Sequence, residues 1–184
     1  MSLDGYVTGP DPNLDRGLGR GGERLHAWVF EEEAGAVDEL RQTGAVVMGR
    51  RLFDFIDGPN GWKVDSGYAP TLKGFTPPVF VVTHRAPETA RLAKQCTFVT
   101  EGLGPAIARA RAAAGDKVVV VMGGADVVRQ SIDQALVDEV RIHLAPILLG
   151  GGTSLFPGTR PRGLVQLAVR VSPQATHLTY GLSR

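Results

Sequence analysis

Three apolar runs in the sequence each end in glycine, arginine or a hydroxyl side chain. The residues at these ends are Gly49, Arg50 and Arg51 after AVVM, Thr83, His84 and Arg85 after VFVV, and Gly123 and Gly124 after VVVVM. Guanidinium groups hold phosphates with paired hydrogen bonds, and the first N–H groups of a helix attract anions. If the runs are neighbouring strands, their ends form a site for a multiply phosphorylated nucleotide.

Taken alone, the glycine pair Gly123 and Gly124 has two interpretations. Its strand, glycine, helix order suits phosphate binding, with Ala125, Asp126 and Val127 opening the helix. Glycines at this place also permit close packing of a strand against the following helix. A lone arginine, likewise, is usually a solvated surface charge. The three ends together favour the phosphate site.

A different glycine pattern, GLGRGG, places Gly17, Gly19 and Gly22 at the spacing of a dinucleotide fingerprint. Such a fingerprint must follow a strand directly, so that the pyrophosphate meets the start of the helix. The preceding residues, TGPDPNLDR, contain two prolines and no apolar run. We therefore interpret this segment as a flexible loop near a site.

Composition excludes several classes of protein. The chain has 184 residues, so we predict one domain over residues 1–184. A net charge of +1 gives no general attraction to nucleic acid or anionic membranes, and no apolar run is long enough for a membrane helix. The single cysteine, Cys96, excludes an internal disulfide and a cysteine-rich zinc site; no metal is predicted. The start, MSLDGYVTGP, has no secretory leader, so we predict a cytoplasmic protein.

Apolar periodicity outlines the elements that must position these side chains. Helices are predicted over ERLHAWVFEEEAGAVDELRQTG, with Gly35 as a break and Gly44 as the end, over GPAIARARAAAG and over ADVVRQSIDQAL. Strands are predicted at AVVMGR, PPVFVVTHR, VDEVRIHL and KVVVVM, the last buried on both faces. Residues 57–78 are interpreted as a long surface connection, and residues 163–182 as an antiparallel hairpin. This order predicts a three-layer α/β/α sandwich with a mixed, mostly parallel sheet.

The segments SLDGYVTGP, GGERLHAWVF, VVMGRRLFD, VFVVTHR, VVVVMGGADVVRQSI and VDEVRIHLAPILLGGGTSLF occur in one order across nearly the whole chain. In that order they resemble the dihydrofolate reductase-like fold, and within it the riboflavin-biosynthesis reductase (RibD C-terminal) domain. In the family a central strand extends upstream of the segment that matches SLDG, and little of it precedes Ser2 here.

The resemblance implies an NADPH site. In the family, residues matching 49–51 lie on the cofactor phosphates, and residues matching 83–85 lie near the adenosine 2′-phosphate, which favours NADPH over NADH. The turn that matches residues 123–127 holds the central phosphates, and in dihydrofolate reductases its Gly-Gly peptide bond is cis. The nicotinamide is expected towards SLDGYV and ILLGGGTS.

The resemblance also suggests three residues on the substrate side. Glu33 matches the carboxylate that dihydrofolate reductases use to grip and protonate the pterin, although a solvated face is the simpler interpretation of FEEEAG. Asp4 matches an acidic residue near the active site of riboflavin-type relatives, and Asp-Gly is also common turn chemistry. His143 matches a pocket threonine, and its pKa range suits proton delivery, but a lone strand histidine is usually structural.

The function that we predict is an NADPH-dependent reductase that transfers hydride to a C=N or C=O bond of a small pterin-, pyrimidine- or sugar-derived substrate. One alternative is the 5-amino-6-(5-phosphoribosylamino)uracil reductase of riboflavin biosynthesis. A non-enzymatic NADPH-binding module and a flavin-dependent protein are the others. A homodimer through the apolar C-terminal strands is also expected, as in riboflavin-type relatives.

Overall fold

A computed structural model of the protein describes residues 1–30, 34–64, 67–68 and 75–183. The α-helices in this part of the chain are α1 (Ala27–Phe30), α2 (Ala34–Gln42), α3 (Arg50–Asp57), α4 (Leu103–Ala114) and α5 (Ala125–Asp133). The strands are β1 (Thr43–Gly49), β2 (Val79–Val82), β3 (Cys96–Val99), β4 (Val118–Gly123), β5 (Glu139–Leu144), β6 (Leu164–Val171) and β7 (Thr176–Leu182). None of these helices is long and apolar enough to cross a membrane.

The chain forms two compact units, one of residues 34–128 and one of residues 1–33 and 129–184. The first, the parallel unit, contains a four-stranded parallel sheet in the order β3-β2-β1-β4. The second, the antiparallel unit, contains a three-stranded antiparallel sheet in the order β5-β7-β6. The α/β fold class is confirmed. The prediction of a single domain stays a prediction.

The core of the parallel unit lies on β1. Val46, Val47 and Met48 are fully buried there, and Phe53 of α3 is nearly so. Their burial explains why a run without polar residues forms the inner strand of a parallel sheet. The amphipathic α3 follows β1 without a loop, so the end of β1 and the start of α3 share one position in the fold.

The segment between α3 and β2 differs from the predicted surface connection. Trp62 and Tyr68 pack against the buried cluster around Met48 and Phe53, and their rings meet edge to face with centroids 6.1 Å apart. Residues 65–66 and 69–74 lie outside the described part of the chain. Trp62 and Tyr68 therefore cover part of the core.

Three further predictions about the elements need correction. The predicted first helix begins as a 3-10 turn at Gly22–His26, and its described α-helical parts are α1 and α2, with residues 31–33 outside the described part of the chain. Gly44 lies inside β1, since α2 already ends at Gln42; a Cβ at Gly44 would come within 2.6 Å of the Lys117 Cβ, so glycine allows close packing there. β4 is not buried on both faces: it is the last strand of its sheet, and Val118 is 38% exposed.

The antiparallel unit contains the predicted C-terminal hairpin. β6 and β7 pair from Leu164 opposite Leu182 to Val171 opposite Thr176, with a shift in register between Gln166 and Ala168. β7 lies in the middle and pairs with β5 on its other side, so β6 is an edge strand. The side chains of β7 are mostly half-buried, whereas those of β6 are exposed along almost the whole strand.

Candidate functional site

The register of the parallel sheet places the predicted strand ends side by side. Gly49 of β1 pairs with Val82 of β2, and Met48 pairs with Gly123 of β4. Because these strands are parallel, α3, the 83–85 loop and α5 all begin at one edge of the sheet. Starting helices and their backbone N–H groups favour bound anions. The residue sets that the sequence singles out for phosphates are thus brought together.

The guanidinium of Arg50 is held by acceptors within the protein at this edge. Its Nε donates to Asp54 Oδ1 at 2.7 Å, one helical turn along α3, and its Nη1 donates to the Arg85 carbonyl at 2.9 Å. The ion pair with Asp54 is partly exposed and contributes little by itself. The bond to Arg85 joins two segments that are 35 positions apart in sequence. Arg50 therefore positions the loop after β2.

Thr83 has a similar bracing role. It is 8% exposed, and its hydroxyl donates to the Arg85 carbonyl at 2.8 Å and accepts from the Arg85 N–H at 3.3 Å. The backbone of Arg85 is thus held, while its guanidinium extends into solvent and pairs with Glu88 at 2.9 Å. Exposed pairs of this kind are weak, so an arriving phosphate can displace Glu88.

Arg51 and His84 are the other accessible members of the set. Both are exposed, Arg51 in the first turn of α3 and His84 in the loop after β2. Arg51 has no ion-pair partner within the described ranges. The four basic residues therefore have two different roles. Arg50 holds the loop after β2 in place, whereas the exposed side chains can reach a ligand; these are Arg51, His84 and Arg85.

The glycines at this edge serve two purposes. At Gly49 a Cβ would lie 2.7 Å from Val127 Cγ2, so the absence of a side chain lets β1 approach α5. At Gly124 a Cβ would meet nothing within 4 Å, so that backbone faces open space. The peptide bond between Gly123 and Gly124 is cis, which confirms the prediction from the resemblance. Gly49 therefore allows close packing, and Gly124 leaves backbone facing open space.

The first turn of α5 follows this open backbone directly. The Val128 N–H donates to the Gly124 carbonyl at 3.1 Å, and Ala125 begins the helix. Asp126 is exposed in that turn. Its carboxylate stabilises the helix start but repels phosphate, so backbone N–H groups are the better anion donors here.

Asp4 belongs to the antiparallel unit and holds a turn. Its carboxylate accepts from the Gly150 N–H at 2.7 Å and from the Leu149 N–H at 3.1 Å. The hydroxyl of Ser2, together with these N–H groups, lowers the pKa of Asp4 below its usual value. The group is therefore ionised at neutral pH and acts here as an acceptor that orders the glycine turn.

His143 is placed in a buried cluster instead of an open pocket. Its Nδ1 lies 2.7 Å from Nδ1 of His177, and its ring stacks on Trp28 with centroids 3.7 Å apart. His177 Nε2 lies 3.1 Å from the Ser172 hydroxyl. Burial, with the nearby His177 and other positive charges, lowers the pKa of His143 to about 3. A neutral imidazole of this kind is a poor proton donor near pH 7, and these contacts support the structural interpretation.

Glu33, with its neighbours Glu31 and Glu32, lies outside the described residues. Its assignment as the substrate-side carboxylate stays a prediction.

The GLGRGG segment is a set of tight turns. Gly17 and Gly19 have φ of 58° and 78°. A Cβ on Gly19 would lie 2.4 Å from the Pro10 carbonyl oxygen, and one on Gly22 would lie 2.8 Å from the Leu18 Cβ. The glycines therefore allow backbone to pack on backbone, in agreement with the loop interpretation.

Comparison with known proteins identifies the family. A family model described as the RibD C-terminal domain matches residues 1–178, almost the whole chain. The chain belongs to the RibD C-terminal domain family. It is 23% identical over 165 residues to the uncharacterized protein YyaP of Bacillus subtilis (strain 168), a match that covers 88% of this chain and 79% of YyaP.

Two solved structures show the same fold as this RibD C-terminal domain. A putative riboflavin biosynthesis protein from Shewanella sp. PV-4 has a TM-score of 0.72 and 24% identity, with 100% of this chain and 96% of that chain covered. A diaminohydroxyphosphoribosylaminopyrimidine deaminase/5-amino-6-(5-phosphoribosylamino)uracil reductase from Thermotoga maritima has a TM-score of 0.60 and 15% identity. All of this chain is covered in that match, but only 54% of the Thermotoga chain.

Sequence reasoning missed the acidic partners of the basic residues in this RibD C-terminal domain. Asp54 follows Arg50 at i,i+4 and Glu88 follows Arg85 at i,i+3. Both spacings were visible in the sequence and are those at which side chains meet. The partner of His143 gave no such signal, because it lies on a different strand.

Proposed function

We propose that this protein is an NADPH-dependent reductase. The observation that carries the proposal is the alignment of Gly49, Val82 and Gly123 at one sheet edge, where exposed basic side chains meet an open helix start. Ligands bind at the carboxyl edge of parallel strands, and multiple phosphates need several cationic and N–H donors. Membership in the RibD C-terminal domain family supports the same activity.

The residues present fit the phosphates of NADPH. The open backbone at Gly124 and the first N–H groups of α5 would bind the central phosphates, with Arg51 beside them. His84 and Arg85 would bind the adenosine 2′-phosphate, and Arg50 and Thr83 would keep that loop in place. Because only NADPH has a 2′-phosphate, which would replace Glu88 beside the exposed guanidinium of Arg85, NADPH is favoured over NADH.

When bound, this cofactor supplies the hydride, and the protein supplies orientation and a proton. The substrate that we propose has a C=N or C=O bond in a pyrimidine, pterin or sugar-derived frame. Glu33 is the proposed proton source. Asp4 has a supporting role, because its carboxylate orders the turn at residues 149–150.

Among these substrates a ribosylamino-pyrimidine phosphate is the first to test. The Thermotoga neighbour is named as a deaminase and a 5-amino-6-(5-phosphoribosylamino)uracil reductase, and this chain covers 54% of it. The Shewanella neighbour is named as a putative riboflavin biosynthesis protein. Both names support a riboflavin-pathway reductase over a dihydrofolate reductase.

A fluorescence titration with NADPH and NADH tests the cofactor. NADPH should bind about tenfold more tightly than NADH, since a hydrogen bond to a charged group contributes about 1.5 kcal/mol or more. The Arg85→Gln variant should lose that preference and keep its NADH affinity. Equal binding of the two cofactors by the unaltered protein, or no binding of either, would overturn the proposal.

Turnover tests the enzyme against the non-enzymatic alternative. NADPH oxidation is followed with the ribosylamino-pyrimidine phosphate, dihydrofolate and simple carbonyl compounds. The Glu33→Gln variant should bind NADPH normally and lose about a hundredfold or more in kcat, the range for a general acid. Glu31→Gln and Glu32→Gln are the matched controls and should retain activity. Binding of NADPH without turnover of any substrate would favour a binding module.

We further propose that β6 joins two copies of the chain. Val165, Leu167, Val169 and Val171 are 49–76% exposed along this edge strand. Exposed apolar edge strands are normally guarded by charge or covered by a partner. Within β6 only Arg170 is charged. A second copy that packs its own β6 against this face of the strand would cover these side chains in a symmetric homodimer.

A further inference from the structure

The antiparallel unit has a pocket of about 160 Å³ that the proposed cofactor site does not use. It is lined by Ile132, Val140, Phe156, Thr159, Arg160, Arg162 and Leu164. For scale, an engineered apolar cavity of about 150 Å³ in another protein holds benzene. The pocket is therefore large enough for one small ring or branched aliphatic group.

The floor of the pocket is apolar and comes from different elements. Ile132, from the last turn of α5, is 5% exposed, and Val140 of β5 is 8% exposed. Phe156 and Leu164 are partly exposed and complete the wall. A ligand that enters here removes apolar surface from water, which favours binding of an apolar body.

Two arginines, Arg160 and Arg162, are among the residues that line the pocket. Arg160, Arg162 and Leu164 line the pocket while the residues between them do not, which is the alternation of an extended segment. Arg162 Nη1 donates to the Ile132 carbonyl at 2.8 Å, so its guanidinium is held beside a residue of the floor. The other nitrogens of the group remain available for a second acceptor.

The lining contains no acidic residue to neutralise these charges. It also contains a polar group in need of a partner: the Thr159 hydroxyl is buried and has no hydrogen-bond partner in the part of the chain that the structure describes. Buried hydroxyl groups without a partner are uncommon in folded proteins. A ligand for this pocket should therefore have an apolar body, to suit the floor, and an acceptor group, to suit the arginines and the Thr159 hydroxyl.

We propose that this pocket binds a small organic anion, an aromatic or branched apolar body that carries one carboxylate. The carboxylate would accept from Arg160 and Arg162, and the apolar body would lie against Ile132 and Val140. A planar carboxylate matches the paired donors of a guanidinium, which distinguishes it from a neutral molecule of the same shape.

Benzoate is the test ligand. Benzyl alcohol, which has the same ring but no charge, is the neutral control. Methyl resonances of Ile132, Val140 and Leu164 are followed by NMR in the full-length protein. Benzoate should shift all three with a Kd on the order of 1 mM, the range for so small a ligand. Benzyl alcohol should bind more weakly. Equal binding of the two compounds, or no shift with benzoate, would overturn the proposal.

The variant Arg160→Gln tests the charged part of the lining. It should weaken benzoate about threefold and leave benzyl alcohol unchanged, because exposed ion pairs are modest in strength. Arg16→Gln, an exposed arginine of the same unit, is the matched control and should change neither affinity. A thermal melt confirms that each variant is folded. Unchanged benzoate affinity in folded Arg160→Gln would contradict anion recognition in this pocket.

Discussion

Arg50 Nη1 lies 2.9 Å from the carbonyl oxygen of Arg85 and donates a hydrogen bond to it. The bond connects the start of α3 to the loop after β2, and Asp54 holds the same guanidinium from the other side. An arginine with two internal acceptors has less to offer a phosphate than one without. The arginines at this edge therefore differ: the Arg50 guanidinium is held by internal acceptors, whereas Arg51 is exposed.

Arg51→Gln should weaken NADPH binding about threefold to tenfold at low salt, because a direct phosphate contact is lost. The difference from the unaltered protein should shrink at high ionic strength, since exposed charges are screened. Lys94→Gln removes an exposed cation from the 3-10 turn Ala93–Gln95 and is the control. If the two variants have equal NADPH affinity in a fluorescence titration, Arg51 does not contact the cofactor.

Gly49→Ala should destabilise the protein by about 1–3 kcal/mol, because the new Cβ would lie 2.7 Å from Val127 Cγ2. Val127→Ala in the same chain removes the clashing atom and should recover part of the loss. Gly124→Ala, where the Cβ meets nothing, should retain stability and lose NADPH affinity. Urea unfolding and cofactor titration of the three variants separate the packing glycine from the binding glycine.

Asp4→Asn should loosen the turn at residues 149–150. The pKa of Asp4 is lowered by the Ser2 hydroxyl and by the N–H groups of Gly150 and Leu149, so the ionised form is the one that stabilises the fold. This contribution is present above the ordinary value of 3.8 and is lost as pH falls through the lowered pKa. Hydrogen exchange of the Leu149 and Gly150 amides should become faster in the variant at pH 7. Asp116→Asn, at an exposed position, should leave both amides protected.

His143 should make the protein less stable in mild acid. Its pKa falls from 6.5 to about 3 on folding, through burial first and then the charges of His177, the N-terminal amine, Arg170 and Arg141. Between these values the unfolded chain binds the proton and the folded chain does not. The free energy of unfolding should therefore decrease as pH falls below 6.5, by up to about 1.4 kcal/mol per pH unit from this group.

Urea unfolding between pH 5 and pH 8 measures this dependence. His143→Gln removes the titrating group and should flatten the curve, whereas His84→Gln, on the surface, should leave it unchanged. The same pH slope in the protein and in His143→Gln would show that His143 keeps its ordinary pKa.

Val169→Lys should produce monomers if β6 is the contact between two copies. The charge would be buried without a partner in the dimer, which disfavours association. Val64→Lys is the matched control, since Val64 and Val169 are 48% and 49% exposed. Light scattering should report a dimer for the protein and for Val64→Lys. A monomeric unaltered protein would disprove the dimer directly.

Local patterns predicted the strands and helices whose ends meet at the edge that we propose for NADPH. Buried runs such as AVVM and VFVV and the alanine-rich α4 are strong signals over short windows. β3 was not predicted, because CTFV alternates only over four residues and gains its stability from pairing with β2. The separation into a parallel and an antiparallel sheet depends on pairing between distant segments, which periodicity does not encode.

The positions of individual side chains were hard to predict for the same reason, because they depend on residues that are distant in the sequence. Which strand ends carry basic residues could be read directly, but the direction of each arginine depends on acceptors such as the Arg85 carbonyl. His143 was a candidate proton donor until its neighbours were known. Trp28 and His177 come from distant parts of the chain, and they determine both its burial and its charge state.

The close packing around Gly19 and Gly22 has a consequence for the use of short signatures. Wherever two loops must lie against each other without side chains between them, selection will retain glycines at irregular short intervals. Some of those intervals will match a nucleotide-binding signature by coincidence. A search by signature alone would place the dinucleotide on the GLGRGG loop, whereas the edge that we propose for NADPH carries no such signature.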